Sequence, residues 1–406
     1  MRILFICHRF PFPPKRGGKI RPFNIIQHLA REHEVHVASL VRSQAEADEG
    51  RGLGAHCASH THARVFDWLQ TLRMVARIPT PAPSSFGFFY SGALAAGIRR
   101  LLAAQRFDLI FVHCSSVARY VAGVQGVAKI LDFGDMDSQK WLEYARYKPL
   151  PLNLGYRLEG LKLEAEERRL AGMFDCCTAT TRGEWETLKQ LAAHCESDWF
   201  PNGVDSRFFT PATEGYDPDS LSFVGRMDYY PNQEGMLEFC QSTWPLILQR
   251  RPAMKLTIVG AEPPPAIRAL GQIPGVTVTG TVPDVRPYVN RSALMVAPLN
   301  IARGTQNKLL EAMASGVPVL TSPVAAAGVD AVAGEHMLVA RSPQEYCDAV
   351  LRVAGDPAER ARLALAGRAR MLSHHGWDTS MRRLDGIVER CLSAFSLKSA
   401  KEGLVS

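Results

Sequence analysis

Apolar runs of strand length alternate with helix-length segments along the chain, and the alternation starts afresh near residue 215. Before that point the strand-like runs are residues 2–7, 35–40, 107–115, 127–138 and 173–180; after it they are 221–224, 254–260, 276–280, 294–299 and 319–320. Strand, helix, strand in succession is the pattern of βαβ units, which build parallel sheets with helices packed on them. The chain has 406 residues, more than the ~250–300 at which a single core stops growing. The restart therefore reads as a domain boundary, and TPATEGYDPDS, residues 210–220, rich in Pro, Gly, Asp and Ser, is the best linker candidate. The expected fold class is α/β: two facing doubly wound Rossmann-like domains with a cleft between them.

Composition narrows the partners. Hydrophobic residues at 46% and charged residues at 21% describe a soluble globular chain, with disorder expected only in the tail, residues 396–406. A net charge of +7 and a pI near 9.0 suit anionic partners, whether nucleotide diphosphates, lipid surfaces or nucleic acid. Nine cysteines without framework spacing point to reduced thiols in a cytosolic compartment, with the adjacent Cys176 and Cys177 read as small core residues. No metal-ligand cluster stands out, since His374 and His375 are neighbours that do not face one ligand position on a helix. Residues 1–10 read as a first strand rather than a signal peptide, and no run reaches the ~18 apolar residues of a spanning helix. A cytoplasmic protein, soluble or peripheral at the membrane face, is expected.

The richest stretch is NIARGTQNKLLEAMASGVPVLTSP, residues 300–323. A strand, a glycine turn at Gly304 and a helix over 306–315 follow in order. Thr305 is placed to cap that helix, Gly316 suits a left-handed residue after its last turn, and Pro318 blocks continuation. Free N–H groups at the helix start attract phosphate, and Lys308 adds a full charge there. Glu311, one turn on, has two acceptor oxygens suited to the neighbouring hydroxyls of a ribose. A capped crossover helix with a surface Lys308–Glu311 pair would account for the same residues structurally.

The wording LLEAMASGVPVL resembles the nucleotide-sugar site of glycosyltransferase family 4, retaining enzymes of GT-B architecture. Two further stretches are similar: Asn202-Gly203-Val204-Asp205 at the entry to a second domain, and Gly225-Arg226 directly after a strand. The resemblance extends over most of the chain and implies the domains 1–200, acceptor-side; 201–376, nucleotide-sugar-binding; and 377–406, a helix returning to the first domain plus a tail. It implies that Glu311 binds the donor ribose, that Gly304, Thr305 and Lys308 face the diphosphate and sugar, that Arg226 beside Gly225 binds the diphosphate, and that Val282 in the pattern Gly280-x-Val282-x-Asp284 contacts the base. Two departures stand out. Arg303 occupies the position of a usual glutamate, and an arginine cannot accept sugar hydroxyls. Tyr230, Pro231 and Asn232 stand where a lysine usually follows Gly-Arg, which leaves Lys308 to supply that charge.

In the first half, Gly17 and Gly18 sit among Lys15, Arg16, Lys19 and Arg21 after the first strand. A flexible loop with four cations at a strand's carboxyl end suits an anionic ligand, although a solvated basic loop has the same composition. The resemblance implies a Gly-Gly loop that closes on donor phosphates or acceptor. Asp132, Asp135 and Asp137 crowd the end of the 127–138 strand, where repulsion and burial should raise at least one pKa. The triplets Asp132-Phe133-Gly134 and Asp135-Met136-Asp137 match kinase and metal-dependent transferase motifs, but their context is missing. The family's His-Asp pair maps onto Gly134 and Asp135, so the imidazole is absent there. Asp135 and Asp137 remain candidates to position or deprotonate an acceptor hydroxyl, against the simpler reading that they cap the helix over 138–147.

The expected function is transfer of a sugar from a nucleotide diphosphate sugar to a hydroxyl of a glycan or lipid-linked acceptor, with retention and without a metal or other cofactor. The wording is closest to sugar transferases of bacterial exopolysaccharide systems. Asp135, Asp137, Arg226 and Lys308 are the expected catalytic residues. Gly17, Gly18, Gly225, Arg226, Val282, Arg303, Gly304, Thr305, Lys308 and Glu311 are the expected donor-binding set. A GT-B nucleotide-sugar epimerase would need no acceptor, and a nucleotide- or RNA-binding protein would suit the charge, but no basic platform interleaved with aromatics supports nucleic acid.

Overall fold

The computed structural model of the chain describes residues 1–14 and 17–403, with side chains to residue 400. Lys15 and Arg16 lie outside the described residues. The chain divides into two compact units, Met1–Pro201 with Met381–Ser406, and Asn202–Ser380.

The first unit is built on a seven-stranded parallel sheet: β1 (Arg2–Cys7), β2 (Glu34–Val41), β3 (Ser59–Arg64), β4 (Leu109–His113), β5 (Ala128–Gly134), β6 (Cys176–Ala179) and β7 (Ser197–Trp199). Their order is β3-β2-β1-β4-β5-β6-β7. Leu4, Ile6, Ile110, Val112 and Leu131 are fully buried in its core, and Cys176 and Cys177 are buried on β6. The edge strand β3, SHTHAR, carries no apolar run and so left no trace in the hydrophobic pattern.

The second unit holds six parallel strands: β8 (Asp217–Val224), β9 (Lys255–Val259), β10 (Val276–Gly280), β11 (Ser292–Ala297), β12 (Val319–Thr321) and β13 (Leu338–Val339), in the order β10-β9-β8-β11-β12-β13. Leu221, Phe223, Ile258, Leu294, Val296 and Leu320 form its centre. β8 begins at Asp217, inside the segment expected to be a linker, because Asp217 pairs with Ser292 of β11. Each sheet therefore reverses its strand order once, between β1 and β4 and between β8 and β11. At such a point adjacent loops leave the strands in opposite directions and open a crevice at their carboxyl ends. Gly225 and Arg226 follow β8, and residues 298–306 follow β11, so both borders of the second crevice carry sequence singled out above.

Two local expectations change. Of the tail expected to be disordered, residues 396–403 continue the helix Trp377–Gly403, and residues 404–406 lie outside the described residues. The helix Leu152–Ala171 does not simply solvate its charges, because Glu159 and Glu167 are buried where they accept hydrogen bonds from the Ser84, Ser85 and Ser138 amides. His375 is also structural. Asp330 N–H donates to its Nε2 at 3.1 Å, so Nδ1 carries the proton and donates to the Asn202 carbonyl at 3.2 Å; burial lowers its pKa and keeps it neutral.

The helix Asn307–Ala314 ends as the sequence suggests. Gly316 has φ +67°, its N–H donates to the Met313 carbonyl at 3.0 Å, and Val317 N–H donates to the Ala312 carbonyl at 3.0 Å, which is a Schellman closure. A Cβ on Gly316 would lie 3.1 Å from Pro211 Cγ. Gly316→Ala should therefore lower unfolding free energy by about 1–2 kcal/mol, measurable by urea titration; an unchanged midpoint would contradict the strained-backbone account.

Candidate active site

In the second unit the start of the 307–314 helix is left open. Its N-cap residue is Gln306, with no side-chain cap, and Thr305, expected to cap it, does not. The Thr305 Oγ1 is buried and has no hydrogen-bond partner; Gly304 before it has φ +60°, and Thr305 stands one residue ahead of the N-cap position. The first amides of the helix thus have no capping side chain. Asn202, from the Asn-Gly-Val-Asp turn, donates to Asn307 Oδ1 at 3.3 Å, while Asp205 accepts from the Arg207 and Phe208 amides within its own turn, both at 3.0 Å.

Lys308 runs from this helix back to the end of β8. Its Nζ donates to Asn232 Oδ1 at 2.6 Å and lies 4.4 Å from the Phe223 ring centroid. Asn232 in turn donates from Nδ2 to the Arg226 carbonyl at 2.7 Å. A Cβ on Gly225 would fall 3.0 Å from the ammonium, so the lysine occupies space that only glycine leaves open. The cation therefore reaches the place after Gly-Arg where the sequence lacks a lysine. Burial lowers its pKa to about 7 against the pull of Glu311, and burial raises Glu311 to about 7 against the pull of Lys308. A dianion arriving here would shift Lys308 toward its charged form.

Arg226 is engaged differently from expectation. Its guanidinium binds Asp228 through Nε at 2.9 Å and Nη2 at 2.6 Å, and also pairs with Glu262. Glu262 holds φ +57°, a strained position for a non-glycine residue. Phe209, Val224, Val285, Val289, Lys308 and Glu311 are among the residues lining a mostly apolar recess beside the helix. Asp284 accepts from the Arg286 amide at 2.9 Å and clamps its guanidinium, so it shapes the turn after the half-buried Val282. Arg303 offers its carbonyl to Gln306 Nε2 at 3.0 Å.

In the first unit Gly17 and Gly18 are not a loop; they open the helix Gly17–Leu29. Lys19 and Arg21 are not free cations. Lys19 is buried against Glu46 at 2.6 Å. Arg21 is bidentate to Asp132, Nε–Oδ2 2.8 Å and Nη2–Oδ1 2.9 Å, donates to the Phe200 carbonyl at 2.9 Å, and stacks 3.7 Å from the Phe200 ring centroid.

The three aspartates separate. Asp132 is fully buried and also meets Thr178 Oγ1 at 2.9 Å and His113 Nδ1 at 2.7 Å. Burial alone would raise its pKa, but Arg21 and His113 outweigh that and hold it well below the carboxylate range. Asp137 is raised, by burial and by Asp135, against Lys140 and Arg9. Asp135 accepts from Thr180 Oγ1 at 2.7 Å. Neither Asp135 nor Asp137 caps the helix Asp137–Arg146, because Glu184 takes the Met136 amide at 2.8 Å and Glu167 the Ser138 amide at 3.0 Å. The capping role is filled by glutamates from two other helices.

Sequence reasoning missed His113. It ends β4 next to β5, and its Nδ1 faces Asp132, while Nε2 has no partner among the described residues. Its Cε1 lies 3.7 Å from where a Cβ on Gly134 would stand, so an imidazole from β4 lies in contact with the glycine position on β5. Only the spatial pairing of His113 with Asp132 in adjacent strands reveals this. Cys114, beyond it, holds φ +83°, and burial pushes its thiol up to about 12, too high for a nucleophile at neutral pH.

Residues 218–356 match the family model described as glycosyl transferases group 1. The match lies wholly within the second unit, and the chain has the GT-B fold. The described chain is similar over nearly its whole length to sucrose-phosphate synthase from Thermosynechococcus elongatus, at 15% identity and TM-score 0.71, covering 97% of this chain and 100% of that one. It is also similar to TarM, at 9% identity and TM-score 0.69, covering 95% and 98%, and to HepE from Anabaena in complex with UDP, at 14% identity and TM-score 0.66, covering 96% and 100%. No curated protein sequence matches.

Proposed function

We propose that the chain is a retaining hexosyltransferase that moves a sugar from a uridine diphosphate sugar to a hydroxyl of a glycan or glycolipid, of the kind used in exopolysaccharide synthesis, with no resident metal. The observation that carries this reading is the Lys308 ammonium, hydrogen-bonded to the neutral Asn232 at the uncapped start of a helix on the sheet's switch point. It is a preformed seat for a diphosphate. Uridine is supported by the solved HepE complex with UDP-glucose and the pneumococcal GtfA complex with UDP and GlcNAc.

In this reading Lys308, the helix amides, Gly225, Gly304 and the unpartnered Thr305 hydroxyl receive the diphosphate. Glu311 accepts the ribose hydroxyls, and Val282 borders the base. As the glycosidic bond breaks, negative charge collects on the leaving diphosphate and the fixed ammonium stabilises it without reorganisation. Arg226 contributes once it exchanges Asp228 or Glu262 for phosphate, and Arg303 faces the sugar. Gly17 and Gly18 stay in the donor set through their helix amides, since the cations flanking them at 19 and 21 are already paired. On the acceptor side Asp135 and Asp137 orient the incoming hydroxyl, and the His113 Nε2 adds a hydrogen-bonding position steadied from behind by Asp132.

Calorimetric titration with UDP, GDP and ADP tests the donor assignment: UDP should bind most tightly, and absence of binding by all three would overturn it. His113→Ala should lower kcat about tenfold while leaving the Kd for UDP unchanged, because the ring is assigned to the acceptor hydroxyl and not to the diphosphate. An unaltered kcat would remove His113 from the reaction.

A further inference from the structure

Two helices of the first unit bury polar side chains and carry an apolar stripe outward. In the helix Asp67–Ala76 the residue facing inward is Gln70, fully buried, whose Nε2 donates to the Tyr90 carbonyl at 2.9 Å, joined by Arg73 at 2.8 Å. The outward stripe is Trp68, Leu72 and Val75, at spacings of i, i+4 and i+7, with Trp68 66% and Leu72 57% exposed. The helix Leu152–Ala171 buries Glu159 and Glu167 together with Leu163 and Leu170, and it carries a second apolar stripe, Leu154, Leu158 and Leu161, outward at the same spacing, each about half exposed or more. A soluble helix normally does the reverse. Lys162 Nζ donates to the Ile78 carbonyl at 2.7 Å, and Glu159 holds the Ser84 and Ser85 amides, so the two stripes are joined.

Charge says what covers this face. Segments 64–78 and 146–162 contain seven arginines and lysines against two acidic residues. One of those, Glu159, is buried, and the other, Asp67, is paired with Arg42 at 2.6 Å. The helix Gly92–Ala104, with Arg99 and Arg100, is ordinary by comparison, since its apolar Leu94 and Ile98 face the core. We infer that the Trp68–Leu72–Leu158–Leu161 face docks in the interface of an anionic lipid bilayer, its aromatic and leucine side chains among the acyl chains and its cations at the headgroups. A protein partner would leave the excess cations without a matched surface, whereas an anionic leaflet neutralises them wherever they lie.

This inference is independent of the donor site. The test is co-sedimentation of the full chain with phosphatidylcholine vesicles, with and without about one third phosphatidylglycerol, at low and high salt. Binding to the anionic vesicles is expected, falling at high salt, and Leu72→Glu with Leu158→Glu should reduce it about tenfold or more. Both sites are exposed, so the double variant should keep the wild-type melting temperature and UDP affinity. Failure of the wild type to bind anionic vesicles would overturn the inference. So would equal binding by the double variant, or wild-type self-association that these substitutions abolish.

Discussion

Lys308→Ala lowers kcat for sugar transfer by about 10²–10³-fold, the loss that follows removal of one preorganised charge stabiliser. The size rests on what the cation is tied to. Its hydrogen-bond partner is the neutral Asn232, so the charge is not spent on a carboxylate in the resting protein. Partial burial strengthens it once a diphosphate restores the proton that burial disfavours. Arg226 offers a built-in comparison, because Asp228 and Glu262 already occupy its guanidinium. Arg226→Ala should therefore cost less than Lys308→Ala, and steady-state rates with a UDP-sugar donor decide the order. A larger loss at Arg226 would show that the arginine, not the lysine, carries the leaving-group charge.

Asp132→Ala destabilises the first unit by about 3–5 kcal/mol, since it leaves the guanidinium of Arg21, 2% exposed, without its counter-charge. For a unit of this size that corresponds to a fall in melting temperature of about 10 °C. The effect is on folding, so UDP affinity of the second unit should survive at low temperature. The pH dependence has a definite sign. The folded pKa of Asp132 lies below its unfolded value, so this stability is present above the ordinary carboxylate range and is lost as pH falls toward the folded pKa. Joint replacement, Arg21→Met with Asp132→Leu, removes both charges and should melt above the single variant. A single variant as stable as wild type would mean that the pair contributes nothing.

How far the sequence reaches is plain from particular residues. Continuous apolar runs and a restart were enough to read two α/β sheets, because buried parallel strands carry their burial in their own composition. The edge strand SHTHAR carries none and went unread. The Schellman end at Gly316 was legible because left-handed backbone nearly requires glycine. Its start was misread: Thr305 has the right residue type for a cap, but the N-cap position falls one residue later, on Gln306. Lys308 reaching the end of β8 could be suspected only from the lysine missing there. The fate of Arg21, 111 residues from its partner Asp132, and of His113, set by a neighbouring strand, depends on contacts no local pattern encodes. The outward leucine stripes of the first unit illustrate the same point, since period 3.6 reveals a stripe but not which way it faces.

The central claim is that a donor diphosphate sits on Lys308 at the start of the 307–314 helix. Crystals soaked with UDP test it most directly. The account predicts diphosphate oxygens within about 3 Å of Lys308 Nζ and of the first helix amides, with the ribose hydroxyls on Glu311. A diphosphate bound elsewhere, with Lys308 still on Asn232 alone, would contradict it.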